Sequence, residues 1–234
     1  MKFTITFSTL LITTGFLFSQ NNTTDQAVQM IEKSIKAQGG KDFLKNIKTL
    51  YSNSETVMDG RNVKWVTKEM APNKGSFEIV YQGRVVYQSF YDGKTGYDVV
   101  NGQKTIADQD EVKDKVYRKH IMNSLDYIDP TLYQVEYIGE EKTGNKDCHK
   151  IKVTLVNGKV TYLYYDKASG FLVKSEVVKD PEKNSDSTVL YDDFKKFGDL
   201  IYETKQTFVS EDGNQESKII DLYYNKKISE KDFK

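Results

Sequence analysis

Only one cysteine, Cys148, occurs in the 234 residues. That excludes an intramolecular disulfide and leaves the compartment unmarked by redox chemistry. Histidine is nearly as scarce, with His120 and His149 alone, and no spaced ligand set for a metal accompanies them. Neither sign of charge is in excess: Lys+Arg and Asp+Glu both number 34, so nothing in the balance points to nucleic acid or an anionic membrane. Proline is limited to three residues, and no internal repeat or low-complexity tract divides the chain. What is abundant is aromatic: 16 Tyr and 12 Phe, rings that suit a half-exposed pleated surface. With a hydrophobic content of 38%, this is the composition of a folded, well-solvated protein of one domain.

The N-terminus stands apart. Lys2 precedes an uncharged run from Phe3 to Ser19, which reads as a secretory signal peptide cleaved near Ser19 or Gln20. The expected organisation is therefore a leader over 1–20 and a single domain over 21–234, exported to the periplasm. The alternative is an uncleaved anchor, which the threonines and serines of the run weaken. No cysteine follows the run, so lipid attachment at a processed N-terminal Cys is excluded.

Thr23 and Gln26 have capping-box spacing and predict a helix start. Ala27, Val28, Ile31, Ser34 and Ile35 form its apolar stripe, and Gly39-Gly40 stops it. Phe43, Leu44 and Ile47 predict a second short helical turn. Hairpins follow: Tyr51–Met58 and Arg61–Met70 around Asp59-Gly60, Ser76–Gln82 and Val85–Tyr91 around Gly83-Arg84, Tyr97–Val100 and Lys104–Ala107 around Asn101-Gly102. One helix is predicted over Gln109–Ile128, with Val116, Tyr117, Ile121, Leu125 and Ile128 on one face and Asp129-Pro130 ending it. The last third is an antiparallel meander. Ile151, Val153 and Leu155 share a face, Asn157-Gly158 supplies two residues of positive φ, and Val160–Tyr165 and Phe171–Val178 run back and forth. Turns at Phe197–Asp199 and Glu211–Gly213 complete it, and 180–187 is a polar loop.

No catalytic motif emerges. Gly93-Lys94-Thr95 looks like the end of a phosphate loop, but Gln88 stands where a glycine is required and no helix pattern follows, so a hairpin turn is expected. Cys148-His149 lacks further ligands. Asp192-Asp193 and the Asp126/Asp129 pair have no visible environment that would shift a pKa. No nucleophile elbow is present. The chain is expected not to be an enzyme and to carry neither cofactor nor metal.

Four stretches carry a resemblance: Ala37-Gln38-Gly39-Gly40, Tyr91-Asp92-Gly93, Tyr165-Asp166 to Gly170-Phe171, and Tyr191-Asp192-Asp193-Phe194 through to Phe233. In these the chain is similar to the LolA-like family, the periplasmic outer-membrane lipoprotein carriers of Gram-negative bacteria and their distant relatives. The resemblance implies an α+β, mainly antiparallel β fold: a strongly curved, incompletely closed β-barrel sheet with helices over its concave face. It also implies a cavity that holds the acyl chains of lipids or lipoproteins, in a monomer that serves as carrier or sensor in the envelope. The chain departs from the well-characterised carriers in length and tyrosine content, and the polar residue that holds their lid helix has no match. Parity along the strands puts Val63, Trp65, Phe77, Ile79, Tyr81, Ile151, Val153, Leu155, Leu163 and Tyr165 on the inner wall. The helical stripe adds Tyr117, Ile121 and Leu125 from a movable lid, with Val116 and Ile128 beside them. These residues are the expected ligand surface. The alternative is an interaction module with a filled core that engages another inner- or outer-membrane envelope protein through its Tyr-rich strands.

Overall fold

The computed structural model describes residues 14–180, 185–211 and 213–234. It has one 13-stranded antiparallel sheet. Six strands come from the hairpin region: β1 (Thr49–Met58), β2 (Arg61–Met70), β3 (Lys74–Tyr81), β4 (Arg84–Tyr91), β5 (Gly96–Val100) and β6 (Gln103–Ile106). Seven come from the meander: β7 (Tyr133–Thr143), β8 (Lys146–Leu155), β9 (Val160–Asp166), β10 (Leu172–Asp180), β11 (Ser185–Phe197), β12 (Leu200–Val209) and β13 (Gln215–Tyr224). Each strand pairs with its sequence neighbour, except that β6 and β7 do not pair. Instead β1 pairs β13, Leu50 opposite Tyr224 and Thr56 opposite Ser217, and joins the two halves. β6 and β7 are left as the two edges, so the sheet curves without closing.

The turn chemistry explains this regularity. Asp59-Gly60, Gln82-Gly83 and Asn101-Gly102 each place two consecutive residues at positive φ, the geometry that matches the twist of a two-residue hairpin. The second of these turns sits one residue earlier than Gly83-Arg84, because Gln82 takes the left-handed position and Arg84 already pairs with Tyr81. Asn157-Gly158 departs further: only Gly158 has positive φ, and the connection spans 156–159. There Leu155 N–H donates to Lys159 O and the Asn157 side chain accepts from Lys159 N–H. Gly93-Lys94-Thr95 is a turn held by Asp92, whose carboxylate accepts from the N–H groups of Lys94 and Thr95.

Helix α1 runs from Thr14 to Gln38. It begins well before Thr23, so the expected capping box lies inside a helix. The expected leader falls partly on residues 1–13, outside the described residues, and partly on the first turns of α1. Ala27, Ile31, Ser34 and Ile35 are buried and Val28 is half-buried. Gly39 and Gly40 then reverse the chain into α2 (Lys41–Lys45) at φ of 135° and 94°. A Cβ on Gly39 would lie 2.7 Å from Phe43 and 2.8 Å from the Asp199 carbonyl, so the corner requires glycine. Among the described residues, no helix is long and apolar enough to cross a membrane.

The predicted helix over 109–128 is not continuous. It is α3 (Gln109–Val112), a 3₁₀ turn over Lys113–Tyr117, an extended stretch, and α4 (Asn123–Tyr127). The extended stretch is held by tertiary bonds. The buried Asp126 carboxylate accepts from Lys119 N–H at 3.0 Å and His120 N–H at 3.4 Å, and meets His120 Nδ1 at 2.7 Å. Val116, expected inside, is 60% exposed.

One core lies between α1, α2, α4 and the strands β1, β7–β9, β12 and β13. It contains Ile31, Ile35, Leu44, Leu125, Ile151, Val153, Leu163, Leu200 and Leu222. A smaller cluster on the outer face packs Cys148 with Tyr164 and Val173.

Candidate ligand trough

The helices do not cover the whole concave face. Among the described residues, three adjoining recesses remain there, and all three are bordered by Glu69 of β2. The first is a cavity of about 450 Å³ between the sheet and residues 118–127, walled by Ile121, Met122, Tyr127, Tyr133, Leu155, Tyr165, Tyr191, Tyr202 and Glu203. The second, also about 450 Å³, lies along the bare inner face and is walled by Leu50, Trp65, Phe77, Phe208 and Ile219. Serine and threonine hydroxyls from Ser52, Ser54, Thr67 and Ser217 interrupt it. The third, about 270 Å³, lies beneath α3 and the 3₁₀ turn, between Phe77, Tyr87, Tyr91, Tyr97 and Lys115. Beside the first cavity an apolar groove of about 620 Å³ opens at the sheet rim, with Val28, Ile128, Pro130, Val135 and Val156, and shares Tyr127, Tyr133 and Leu155 with it.

Strand parity explains which side chains reach the trough. Leu50, Ser52 and Ser54 of β1 oppose Glu69, Thr67 and Trp65 of β2, which oppose Gly75, Phe77 and Ile79 of β3. Trp65 lies edge-on to Phe77 and Phe208, with centroids 5.7 Å and 5.6 Å away. On β11, Tyr191, Phe194 and Phe197 are half-buried, and Asp193 adopts φ 56° between the first two.

A polar group sits where the recesses meet. Arg118 donates from one guanidinium nitrogen to Glu69 Oε1 at 2.5 Å and from the other to Ile121 O at 2.6 Å. This ties the cover segment to the sheet. Burial works against the guanidinium charge, but Glu69 outweighs it and the net shift is upward. Tyr202 lies within reach of Glu203, Glu69, Tyr191 and Arg118, and the charge of Glu203 with its burial drives its phenol well above the ordinary value. Burial pushes the Glu203 carboxyl up to about 7, against hydrogen bonds from its own backbone, Gln206 and Tyr202. Desolvation likewise pushes the phenols of Tyr133 and Tyr191 up to about 12. Lys115 is held below its ordinary value by burial, which Glu69 partly offsets.

The residues expected on a ligand wall separate into groups. Trp65, Phe77, Ile121, Leu155 and Tyr165 border the recesses. Leu125, Ile151, Val153 and Leu163 are instead packed in the α1 core, Ile151, Val153 and Leu163 at 0% exposure. Strand parity puts Ile151, Val153 and Leu163 on one face, and α1 fills the half of the concavity that this face lines. Val63 is buried beside a polar groove near the hairpin tips, with Glu55, Lys64 and Lys218. Ile79 pairs with Trp65 and Tyr87 but borders none of the recesses, Tyr81 sits at the rim beneath Arg61, and Tyr117 is half-buried in the 3₁₀ turn. Ile128 packs against the core from the end of α4. Glu69, Arg118, Tyr191, Tyr202, Glu203 and Gln206 were not anticipated. Only Glu69 left a trace, as a charge in the inward register of β2. Asp129 is held down at about 2 by Lys119 and Thr131, and Asp192 is paired with Lys146, so both are bound up in surface contacts. His149 meets Tyr137, and among the described residues no three His, Cys, Asp or Glu side chains converge as a metal site.

No family model and no curated protein matches the sequence. Solved structures do match over nearly the full length. A LolA superfamily protein from Nitrosomonas europaea aligns over 89% of this chain and 97% of its own, at 11% identity and a TM-score of 0.60. A domain from Vibrio parahaemolyticus described as an outer membrane lipoprotein-sorting protein aligns over 90% and 97%, at 12% identity and a TM-score of 0.60. A DUF1329 family protein from Desulfovibrio piger aligns over 91% and 97%, at 13% identity and a TM-score of 0.59. At these identities the likeness is one of architecture alone: the chain has a LolA-like fold.

Proposed function

We propose that the protein is an exported, non-enzymatic carrier or sensor that holds the acyl chain of a lipid or lipoprotein in the trough. The observation that carries this reading is the unfilled part of the concave face. Recesses of about 450, 450 and 270 Å³ all border Glu69, and the first and third lie under the cover segment, which Arg118 ties to Glu69 and Asp114 ties to Lys159 and Asn157. The first two fall within the roughly 300–1,000 Å³ of small-molecule sites. An acyl chain gains about 0.8 kcal/mol per buried CH₂, so the apolar and aromatic part of the walls supplies affinity and no conspicuous motif is needed. The LolA-like fold and the sorting domain among its structural neighbours support the same reading. So does the Lys2-led apolar leader, whose removal near residue 20 would deliver the chain to the periplasm.

A second reading also has an observation in its favour. The half of the concavity under α1 is filled, with Ala27, Ile31 and Leu163 at 0% exposure. A module of this kind would bind an envelope protein and no lipid. Native mass spectrometry of the exported protein separates the two. The carrier reading expects adducts of lipid mass that dissociate on activation. Lipid-free protein that also fails to take up an added acyl probe would leave the second reading.

A further inference from the structure

We propose that strand β6 is a docking edge. An extended segment of a partner polypeptide adds to it as a further antiparallel strand, with an apolar residue opposite Ile106 and an acidic residue opposite Lys104. The site lies outside the trough, since residues 103–106 border none of the recesses described above.

The two edges of the sheet are unlike. β7 is blunted in the ways that keep an edge strand from pairing with other chains. A bulge between Tyr137 and Gly139 breaks its alternation, Glu140, Glu141 and Lys142 follow, and the Thr24 hydroxyl of α1 donates to Val135 O at 3.2 Å. β6 has none of these protections. No proline or bulge interrupts it, and all of its residues are exposed. α3 closes only its end, where the Gln109 side chain donates to Ala107 O at 2.6 Å and to Gly96 O at 3.3 Å.

The register shows which backbone groups are on offer. Ala107 N–H donates to Gly96 O, so the hydrogen-bonded pairs of this hairpin are Gly96 with Ala107, Asp98 with Thr105 and Val100 with Gln103. Lys104 and Ile106 stand in the alternate pairs, and their N–H and C=O groups point away from β5. Among the described residues nothing bonds to them. Such a row of donors and acceptors at strand spacing is matched by another extended backbone.

The side chains set the partner's chemistry. Lys104 and Ile106 share the face that carries Tyr97 and Phe90. Ile106 is 70% exposed opposite Tyr97. Lys104, the one charge on β6, folds its ammonium back over the rings of Tyr97 and Phe90, 3.9 Å and 4.8 Å from their centroids, and so does not guard the edge. An apolar side chain would cover Ile106, and a carboxylate would answer Lys104. In an antiparallel strand these two residues are separated by one other, the apolar residue first. A second copy fits less well. Pairing β6 with itself sets Lys104 against Ile106 or against another Lys104, and neither supplies an acid.

The test titrates the protein into a short fluorescein-labelled peptide whose core, Ile-Thr-Glu, lies between serine and threonine residues, with anisotropy as the readout. Saturable binding is expected. Methylating the backbone nitrogen of the peptide's isoleucine or glutamate should weaken it about tenfold or more, because those N–H groups donate to β6. Methylating the central threonine, whose N–H faces away, should change it less than about twofold. Ile106→Pro takes away an N–H that the sheet does not use and should abolish binding. Lys104→Glu should weaken binding about fivefold, and a peptide with lysine in place of glutamate should recover it. The methylation series uses the unaltered protein and decides the matter even if Ile106→Pro fails to fold. No binding of the peptide, equal loss at all three methylated positions, or full binding by folded Ile106→Pro would overturn the proposal. A concentration-dependent dimer that Ile106→Pro abolishes and the peptide leaves intact would overturn it in favour of a second copy.

Discussion

At the scale of single residues, the concave face is set apart by charges placed where strand parity puts apolar side chains. Glu203 is the clearest case. Its folded pKa of about 7 stands above the ordinary 4.5, so between those values the native state holds a proton that the unfolded chain has released. Stability from this group is complete below about pH 4.5 and is lost as pH rises through 7, a difference of about 3 kcal/mol. Glu203→Gln should remove that slope. Thermal melts across pH 5 to 8 should show the variant gaining on the parent as pH rises, and curves that stay parallel would mean the carboxyl is solvated. Val153 makes the opposite point. It is fully buried in the α1 core and borders no recess, so Val153→Thr should cost roughly 1–3 kcal/mol for an unpaired hydroxyl. Acyl-probe binding by the folded fraction should be unchanged; weakened binding at unaltered melting temperature would place Val153 on the ligand wall after all.

Elements show best what the chain reveals before folding and what it hides. The hairpins were legible because Asp-Gly and Asn-Gly favour positive φ at both turn positions, a preference written in two adjacent residues. β7 went unread. Its alternation, Val135 then Tyr137, breaks at the bulge between Tyr137 and Gly139 and continues as Glu140-Glu141-Lys142, charges that suit a sheet edge and mask a strand. The cover segment misled in the other direction. Its apolar spacing fits a helix, but Asp126 takes the backbone donors of Lys119 and His120, and Glu69 takes the guanidinium of Arg118. Such bonds join residues up to 49 positions apart, beyond any local pattern. The same holds for the trough, whose polar junction gathers Glu69, Arg118 and Glu203 from three elements.

That segment is also where motion should concentrate, because short helices and an extended stretch have few internal hydrogen bonds to lose. Amide exchange over residues 109–127 should be faster than over β8 and β9, and faster still in Glu69→Gln, which leaves Arg118 buried without its counter-charge. Removing one partner of such a pair typically costs 3–5 kcal/mol. Exchange in the segment matching that of β8 and β9, and unmoved by Glu69→Gln, would mean that it is fixed core and not a lid.

For the whole molecule, an open sheet of thirteen strands has more concave surface than its helices can cover. α1, α2 and α4 fill one half with aliphatic side chains, and the other half keeps aromatic and hydroxyl groups facing a trough. That trough is the proposed seat of an acyl chain. The chain's single tryptophan, Trp65, is on its wall and provides a direct reporter. Titration with an acyl chain brominated at mid-length should quench Trp65 emission saturably at one equivalent, because bromine quenches only at contact. Unbrominated chain should compete the effect away. Binding of the brominated chain by calorimetry with Trp65 emission unchanged would contradict the account.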